Sequence, residues 1–384
     1  MRLTRAEQQE RTRGAVLSAA KWEFSHFGFA EAKVDRIAER AELTRGAVYS
    51  NFPSKRSLYL AVLLSSLPAS SDASALSGMP DSGASASSGP ASGASAPSGP
   101  ASGASAPSGP ADLASAAEGF ARVWLERLPL AVDDAAAGKL RGRSLTGVAD
   151  DERGRATLAQ VTRLEALLLA LALESTGPAR EAGRRVRLAE LILTTLHGAA
   201  HLAETAPGFG DPFDVATACR HLAGLPLADD WDPPHLPYVA AARPAHDPWT
   251  PPDDLTDELS GLPTDIAPDS VLVVLGTDRL EAAEEAVRAA HPTDVVTVAL
   301  VTDDPAETGA LVRLRLTDHT TTLRRVFGPA IRPRLRVVLD DSGALATATG
   351  APTSRDTESA VRLEAGTIIA RADGRGAGHA AATR

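Results

Sequence analysis

The segment VDRIAERAELTRGAVYSNF, residues 34–52, decides how this chain is read. Val34, Ile37, Ala38 and Ala41 recur at three- and four-residue steps, which makes them the inner face of a short helix. After a Glu42-Leu43 turn, Thr44 is placed to N-cap a further helix in which Ala47, Val48 and Phe52 pack inward. Two short helices joined by a tight turn form the geometry that lets the second enter a DNA major groove ~12 Å wide. Upstream, Val16, Leu17, Ala20, Phe24 and Phe27 give one face of a preceding helix, closed by Gly28, the residue best suited to a left-handed helix end.

Read as one string from Val16 to Leu58, with AAKWEFSHFGF (19–29), the segment above and PSKRSL (53–58), this stretch resembles the DNA-binding domain of the TetR family. The Ile37-Ala38 pair, Thr44-Arg45-Gly46 before Val48-Tyr49, Phe52 and the Ser54-Lys55-x-x-Leu58 opening of a fourth helix stand where that family has them. The resemblance implies DNA contacts residue by residue. Thr44 and Arg45 would meet phosphate and base edges, the arginine being suited to bidentate pairing with guanine. Gly46 would let the backbone approach closely, Tyr49 would touch the DNA backbone with Ser50 beside it, and Lys55 would clamp a phosphate. Asn51 is either a contact or a turn residue before Pro53, and Lys33, where the family usually has a small hydroxyl residue, either loses a cap or gains a phosphate contact.

Charge supports the same end of the chain. The protein carries a formal net charge of -10, which argues against a coat for nucleic acid or for an anionic membrane. Residues 1–60 nevertheless hold eleven Lys/Arg against seven Asp/Glu, whereas residues 227–270 hold ten acids and one base, Arg243. One cysteine, Cys219, excludes an intramolecular disulfide and a cysteine-based zinc cluster. The charged start lacks an apolar leader core, and the strongly apolar run around Leu167–Leu173 is far below the ~20 residues that span a bilayer. A cytoplasmic protein that makes no membrane contact is expected.

The chain is mainly α by pattern, with a small α/β domain at its end. Residues 1–67 are expected as the helix-turn-helix domain, its motif at 33–52, and residues 68–111, built of Ala, Ser, Gly and Pro with ASGASAPSGP repeated at 91–100 and 101–110, as a linker. Residues 112–225 read as an all-helical domain for dimerisation and effector binding. Within it the stretch 178–206 carries Val186, Ala189, Leu193, Leu196, Ala200 and Ala203 as one stripe, widened by Leu188, Ile192, Ala199 and Leu202 to a second face. His197 and His201 stand at i and i+4, with Cys219 and His221 beyond, but nothing in their helix completes a metal set and no metal or cofactor is assigned.

Residues 226–268 read as a Pro-rich acidic linker, and 351–384 as a partly disordered tail. Between them, VLVVLG (271–276), DVVTVALV (294–301) and LRVVLD (335–340) are short β-branched runs separated by helical stretches. With a hairpin expected over IRPRLRVVLDDSGALATATG (331–350), Pro333 standing for a cis-proline and DDSG for the turn, residues 269–350 resemble a thioredoxin-like domain. Gly276-Thr277-Asp278-Arg279 stand where that fold carries its two cysteines, so disulfide exchange has no nucleophile. VLVVLGTDRL also lacks the glycine pattern of a dinucleotide site.

The expectation is therefore a DNA-binding transcriptional regulator and not an enzyme. By the resemblance it is a ligand-responsive repressor that grips a palindromic double-stranded operator as a homodimer and answers to a small-molecule effector. Two other classes remain open at this point: an enzyme or redox protein with a DNA-binding address, and a scaffold recruiting a protein partner through its C-terminal domain.

Overall fold

In the computed structural model, which describes residues 4–67, 110, 112–126, 128, 145, 151–176, 183–328 and 334–384, the chain opens with helix α1, Arg5–Glu31. Thr4 and Glu7 cap it reciprocally, and Gly28, at φ +70°, breaks it before its last residues. α2, Val34–Arg40, and α3, Arg45–Asn51, follow, and α4, Lys55–Ser65, starts from a capping box between Ser54 and Ser57. Val16, Ala19, Ala20 and Phe24 of α1 close on Val34, Ile37, Val48, Phe52 and the α4 residues Leu58, Tyr59, Val62 and Leu63 in one apolar cluster. At the α2–α3 turn Glu42 takes φ +56°, and the Leu43 N–H reaches the Ala38 carbonyl at 2.9 Å. A non-glycine residue in that region is strained by about 1 kcal/mol, so this corner is fixed by its surroundings and not by Glu42 itself.

The next described helices are α5, Leu113–Leu125; α6, Glu152–Glu174; α7, Val186–Thr205; and α8, Pro212–Leu222. Asp112, Asp151 and Asp211 cap α5, α6 and α8, each accepting from a backbone N–H of the first turn. By length and composition alone α6 could cross a membrane, and 61% of that stretch is buried in the bundle. The linker expected at 68–111 lies outside the described residues apart from Pro110.

The rest of the chain is built on a six-stranded sheet. β1, Arg243–Pro248, precedes a two-stranded ribbon of β2, Thr256–Asp257, and β3, Leu262–Pro263. The sheet continues with β4, Ser270–Gly276; β5, Val295–Val301; β6, Leu335–Leu339; β7, Glu358–Glu364; and β8, Thr367–Asp373, in the order β1-β8-β7-β4-β5-β6. β4, β5 and β6 are parallel, with Val273 opposite Val298 and Val298 opposite Val337, while β7, β8 and β1 run antiparallel to their neighbours. Helices α9, Ala282–Ala289; α10, Ala310–Phe327; α11, Ala344–Thr349; and α12, Ala377–Ala382, complete the chain.

Strand alternation sorts the two sheet faces. Val271, Val273 and Leu275 of β4, with Val296 and Val298 of β5, face α9, α10 and α12 in a cluster that also contains the cores of α5 to α8. Leu272, Val274, Ala299 and Val338 face the other way, against Leu345 and Ala346 of α11 and against Leu255 and Ile266. An all-helical domain and a separate α/β domain were expected, but the helices and the sheet share one core. α10 is the reason: it leaves the sheet between β5 and β6 and packs against α5, α6 and α4.

Three sequence expectations change here. A hairpin was expected over residues 331–350. Instead β6 runs parallel to β5, and Asp340 to Gly343 leads into α11, with the Asp340 carboxylate accepting the Ala346 N–H at 2.8 Å. Pro333 lies outside the described residues. The acidic linker at 226–268 supplies an edge strand and the β2–β3 ribbon, whose Asp257 accepts the Val337 N–H at 3.1 Å and so covers the β6 edge.

The tail at 351–384 is the sheet's actual hairpin plus α12. Small side chains make the docking of α12 possible: Ala377, Gly378, Ala381 and Ala382 are buried, and a methyl group on Gly378 would meet the Ala286 side chain at 3.0 Å. β7 and β8 are joined by Ala365 and Gly366 alone, at φ +49° and +72°, the two left-handed residues of a tight hairpin turn. Alanine is a poor occupant of that position. Ala365→Asn keeps the N–H that reaches Asp269 and is expected to stabilise the chain by about 0.5–1 kcal/mol; a denaturation midpoint unchanged or lowered in this variant would contradict the turn geometry.

Candidate nucleic-acid interface

Helix α3 is set by its N-cap residue, Thr44. The Thr44 hydroxyl accepts the Ala47 N–H at 3.2 Å, so the Thr44 side chain is committed to the cap. Arg45, Gly46 and Ser50 are exposed and Tyr49 is half-buried. A methyl group added at Gly46 would approach only the Thr44 hydroxyl, at 3.8 Å, so the fold does not require glycine there and its effect is to leave the outer surface low. Arg45 lies 5.5 Å from the Tyr49 ring and pairs with Asp35 of α2 at 3.1 Å. The Tyr49 hydrogen bond, and then the charge of Asp35, hold the guanidinium above its ordinary range. Both partners of the Arg45–Asp35 pair are exposed, so it contributes little to stability and is readily exchanged for a phosphate or a base edge.

The remaining sequence-derived residues fall into two groups. Asn51 closes α3, its amide donating to the Ala47 carbonyl at 2.9 Å while its own carbonyl receives Arg13 at 3.4 Å. The Ser50 hydroxyl donates to the same Ala47 carbonyl. Lys55, at the first position of α4, donates to the Ala30 carbonyl at 3.1 Å and lies 4.8 Å from the Phe29 ring. Burial pulls its pKa down, against the opposing charge of Glu23. Lys33 is exposed and its side chain makes no cap for α2.

The missing hydroxyl at Lys33 is replaced from a distance. Glu23 of α1 is only 1% exposed, accepts the Lys33 backbone N–H at 3.1 Å and pairs with Arg36 at 2.8 Å. One buried carboxylate thus caps α2 and fixes its angle to α1, which in turn aims α3. Arg36 also lies over Phe27, Arg40 over Trp22, and Arg13 over Phe52. Sequence reasoning missed Glu23; the available signal was an acid on the inner face of α1, between Ala20 and Phe24.

Behind the interface, the histidine and cysteine positions do not converge. Cys219 is buried, with its thiol pushed up to about 11 by desolvation, while His201 and His221 are exposed. His197 instead sits 3.0 Å from Arg315 of α10 and edge-on to Trp124, and Arg315 pairs with buried Glu165 of α6. A groove of about 510 Å³ runs along α7, lined by Leu125, Thr195, Gly198, Leu202, Phe209 and Val215. A more polar crevice of about 420 Å³ lies between α6, α7 and α9, lined by Arg163, Arg187, Trp231, His235, Glu281 and Glu284.

A three-helix core that presents the exposed start of its last short helix, behind a strained tight turn, defines a helix-turn-helix DNA-binding domain. Residues 16–62 match the family model described as "Bacterial regulatory proteins, tetR family", and this segment is accordingly a TetR-type helix-turn-helix domain of a transcriptional regulator. A solved structure described as "Molecular basis for control of antibiotic production by a bacterial hormones" aligns with 56% of this chain and 95% of its own at 23% identity. Its TM-score of 0.28 lends no weight to any domain arrangement. No curated protein matches the chain.

Replacing Glu23 by Gln keeps the shape but removes the charge facing Arg36. The expected cost is about 1–3 kcal/mol, toward the lower end because Arg36 is partly exposed, and it should show as faster amide exchange across residues 34–52. Unchanged exchange there would mean that Glu23 does not hold α2.

Proposed function

We propose that the chain is a one-component transcriptional regulator that binds a palindromic operator as a homodimer and releases it, or grips it differently, when a small molecule binds. The carrying observation is the exposed start of α3. Arg45, Gly46 and Ser50 face outward on a helix whose cap and preceding turn are both satisfied locally, by Thr44 and by the Leu43 N–H to the Ala38 carbonyl, so the surface is preorganised before DNA arrives. Nothing in this reading requires catalysis, and it places the protein in the cytoplasm with its DNA.

The second copy is supported by the outer surface of α7 and α8. Leu191, Leu202, Phe209, Phe213 and Leu225 are exposed, and on α7 the exposed side passes Thr194, Gly198 and Leu202 at four-residue steps. Small residues at the centre of such a face let two helices approach closely. Repression is the simplest outcome of operator occupancy. The polar crevice between α6, α7 and α9 supplies a candidate effector volume away from that face.

A mobility-shift titration with duplex DNA flanking the gene tests the reading. Arg45→Ala should weaken sequence-specific binding by roughly 5- to 150-fold, corresponding to about 1–3 kcal/mol for a bidentate base contact. Tyr49→Ala should weaken it comparably, and Lys55→Ala should weaken all duplexes alike with a shallower salt dependence. Equal affinity of the wild-type chain and Arg45→Ala for every duplex would reject the role of α3. Independently, the double variant Leu202→Asp, Phe213→Asp should sediment as a monomer, and a dimer surviving it would place the interface elsewhere.

A further inference from the structure

After β5 the chain makes an acidic corner, Thr302-Asp303-Asp304, then a wide π-type turn, Pro305–Gly309, before α10 begins. This corner is seated on the start of α4. The Ser54 hydroxyl donates to the Glu307 carboxylate while accepting the Ser57 N–H, so the cap of α4 is completed by a residue 253 positions away. Arg56 of α4 reaches Asp151, the cap of α6, at 2.7 Å and Glu307 at 3.4 Å. Arg153 of α6 pairs with Asp303 at 2.9 Å. Glu307 is itself anchored, since its N–H donates to Asp304 and Thr308 binds the other oxygen of the same carboxylate.

Behind these charges the contact is apolar. Leu311 and Leu314 of α10, 2% and 0% exposed, belong to the same cluster as Val16, Phe24 and Leu58, so part of the DNA-binding core is supplied by the sheet domain. At the next position, Arg315 meets Glu165 and His197 inside the helical body. Leu316, Leu323 and Phe327 join the core shared with β4 and β5. α10 is a single rigid rod touching the DNA-binding domain, the helical body and the sheet.

We propose that Glu307, Leu311 and Leu314 are positioning residues for DNA binding, and that the C-terminal α/β domain acts through α10 as a built-in regulator of α4. In this arrangement the helix that fills the bundle is part of the chain, and whatever displaces the sheet relative to α6 retilts α4 and with it α3. The inference rests on the DNA-binding reading above. It adds that the controlling contact is Ser54 and Arg56 with Glu307, and that coupling must run in both directions.

The test uses the full chain and hydrogen exchange alongside operator titration. In the wild-type protein, bound duplex should slow exchange in residues 305–316, which touch no DNA, and Glu307→Gln should abolish that protection. The same variant should change operator affinity by about fivefold or more, speed exchange in residues 55–65 and leave residues 186–205 unaffected, with Glu307→Asp partly restoring both readouts. Leu314→Ala, which leaves every charge in place, should reproduce the loss of protection. Exchange in 305–316 that ignores bound duplex, or Glu307→Gln within twofold of wild-type affinity with unchanged exchange in 55–65, overturns the proposal. A wild-type chain that binds no duplex removes the regulator reading instead, and exchange in 55–65 of Glu307→Gln then decides by itself whether Glu307 holds α4.

Discussion

The burial of α10 between two cores is the constraint on which the rest of the structure depends. The DNA-binding helices alone leave one flank of α4 apolar, with Leu58, Leu60 and Leu63 buried on different sides of that helix. A helix buried nearly all round needs partners on each side. α1 supplies one and the amino-terminal end of α10 another, so α4 is gripped between a local and a very distant part of the chain. Because packed interiors respond to displacement in discrete steps and not smoothly, such a helix is a natural place for a change of state to be transmitted.

The charges at this junction are arranged to orient and not merely to attract. Arg56, Asp151, Glu307, Ser54 and Asp304 each accept or donate in more than one direction, and Asp151 and Ser54 also cap helices. At the start of α3 the arrangement is the opposite: Arg45 and Asp35 form a simple exposed pair. Weak, solvated partners are readily exchanged for others, while multiply bonded partners hold a fixed geometry.

How much of this was legible in the sequence follows from how local each feature is. The helix-turn-helix could be read because its signals lie within a few residues of one another: Gly28 ends α1, Thr44 caps α3, and Arg45 and Tyr49 stand one turn apart. The strands at 271–276 and 295–301 declared themselves through β-branched runs. What could not be read depends on remote pairing. Nothing near residues 335–339 says whether the strand will run parallel or antiparallel, and Ala365-Gly366 lacks the Asn or Asp that usually announces a two-residue turn. The Gly- and Ala-rich end looked featureless because its role is to be small enough to fit under α9. At the interface, Glu23 and Glu307 escaped notice since their partners lie far away in sequence, at Arg36 and Lys33 for one and at Ser54 and Arg56 for the other.

The outermost strand of the sheet, β1, reads RPAHDP, and two of its six residues are prolines with no N–H to offer. Its ends are tied back by Arg243 to Asp373 and by Arg371 to Asp247. The opposite rim is sealed by Asp257 and the short ribbon. Both margins are thus blunted as templates onto which another chain could zip a further strand, so the sheet is closed to growth by edge pairing.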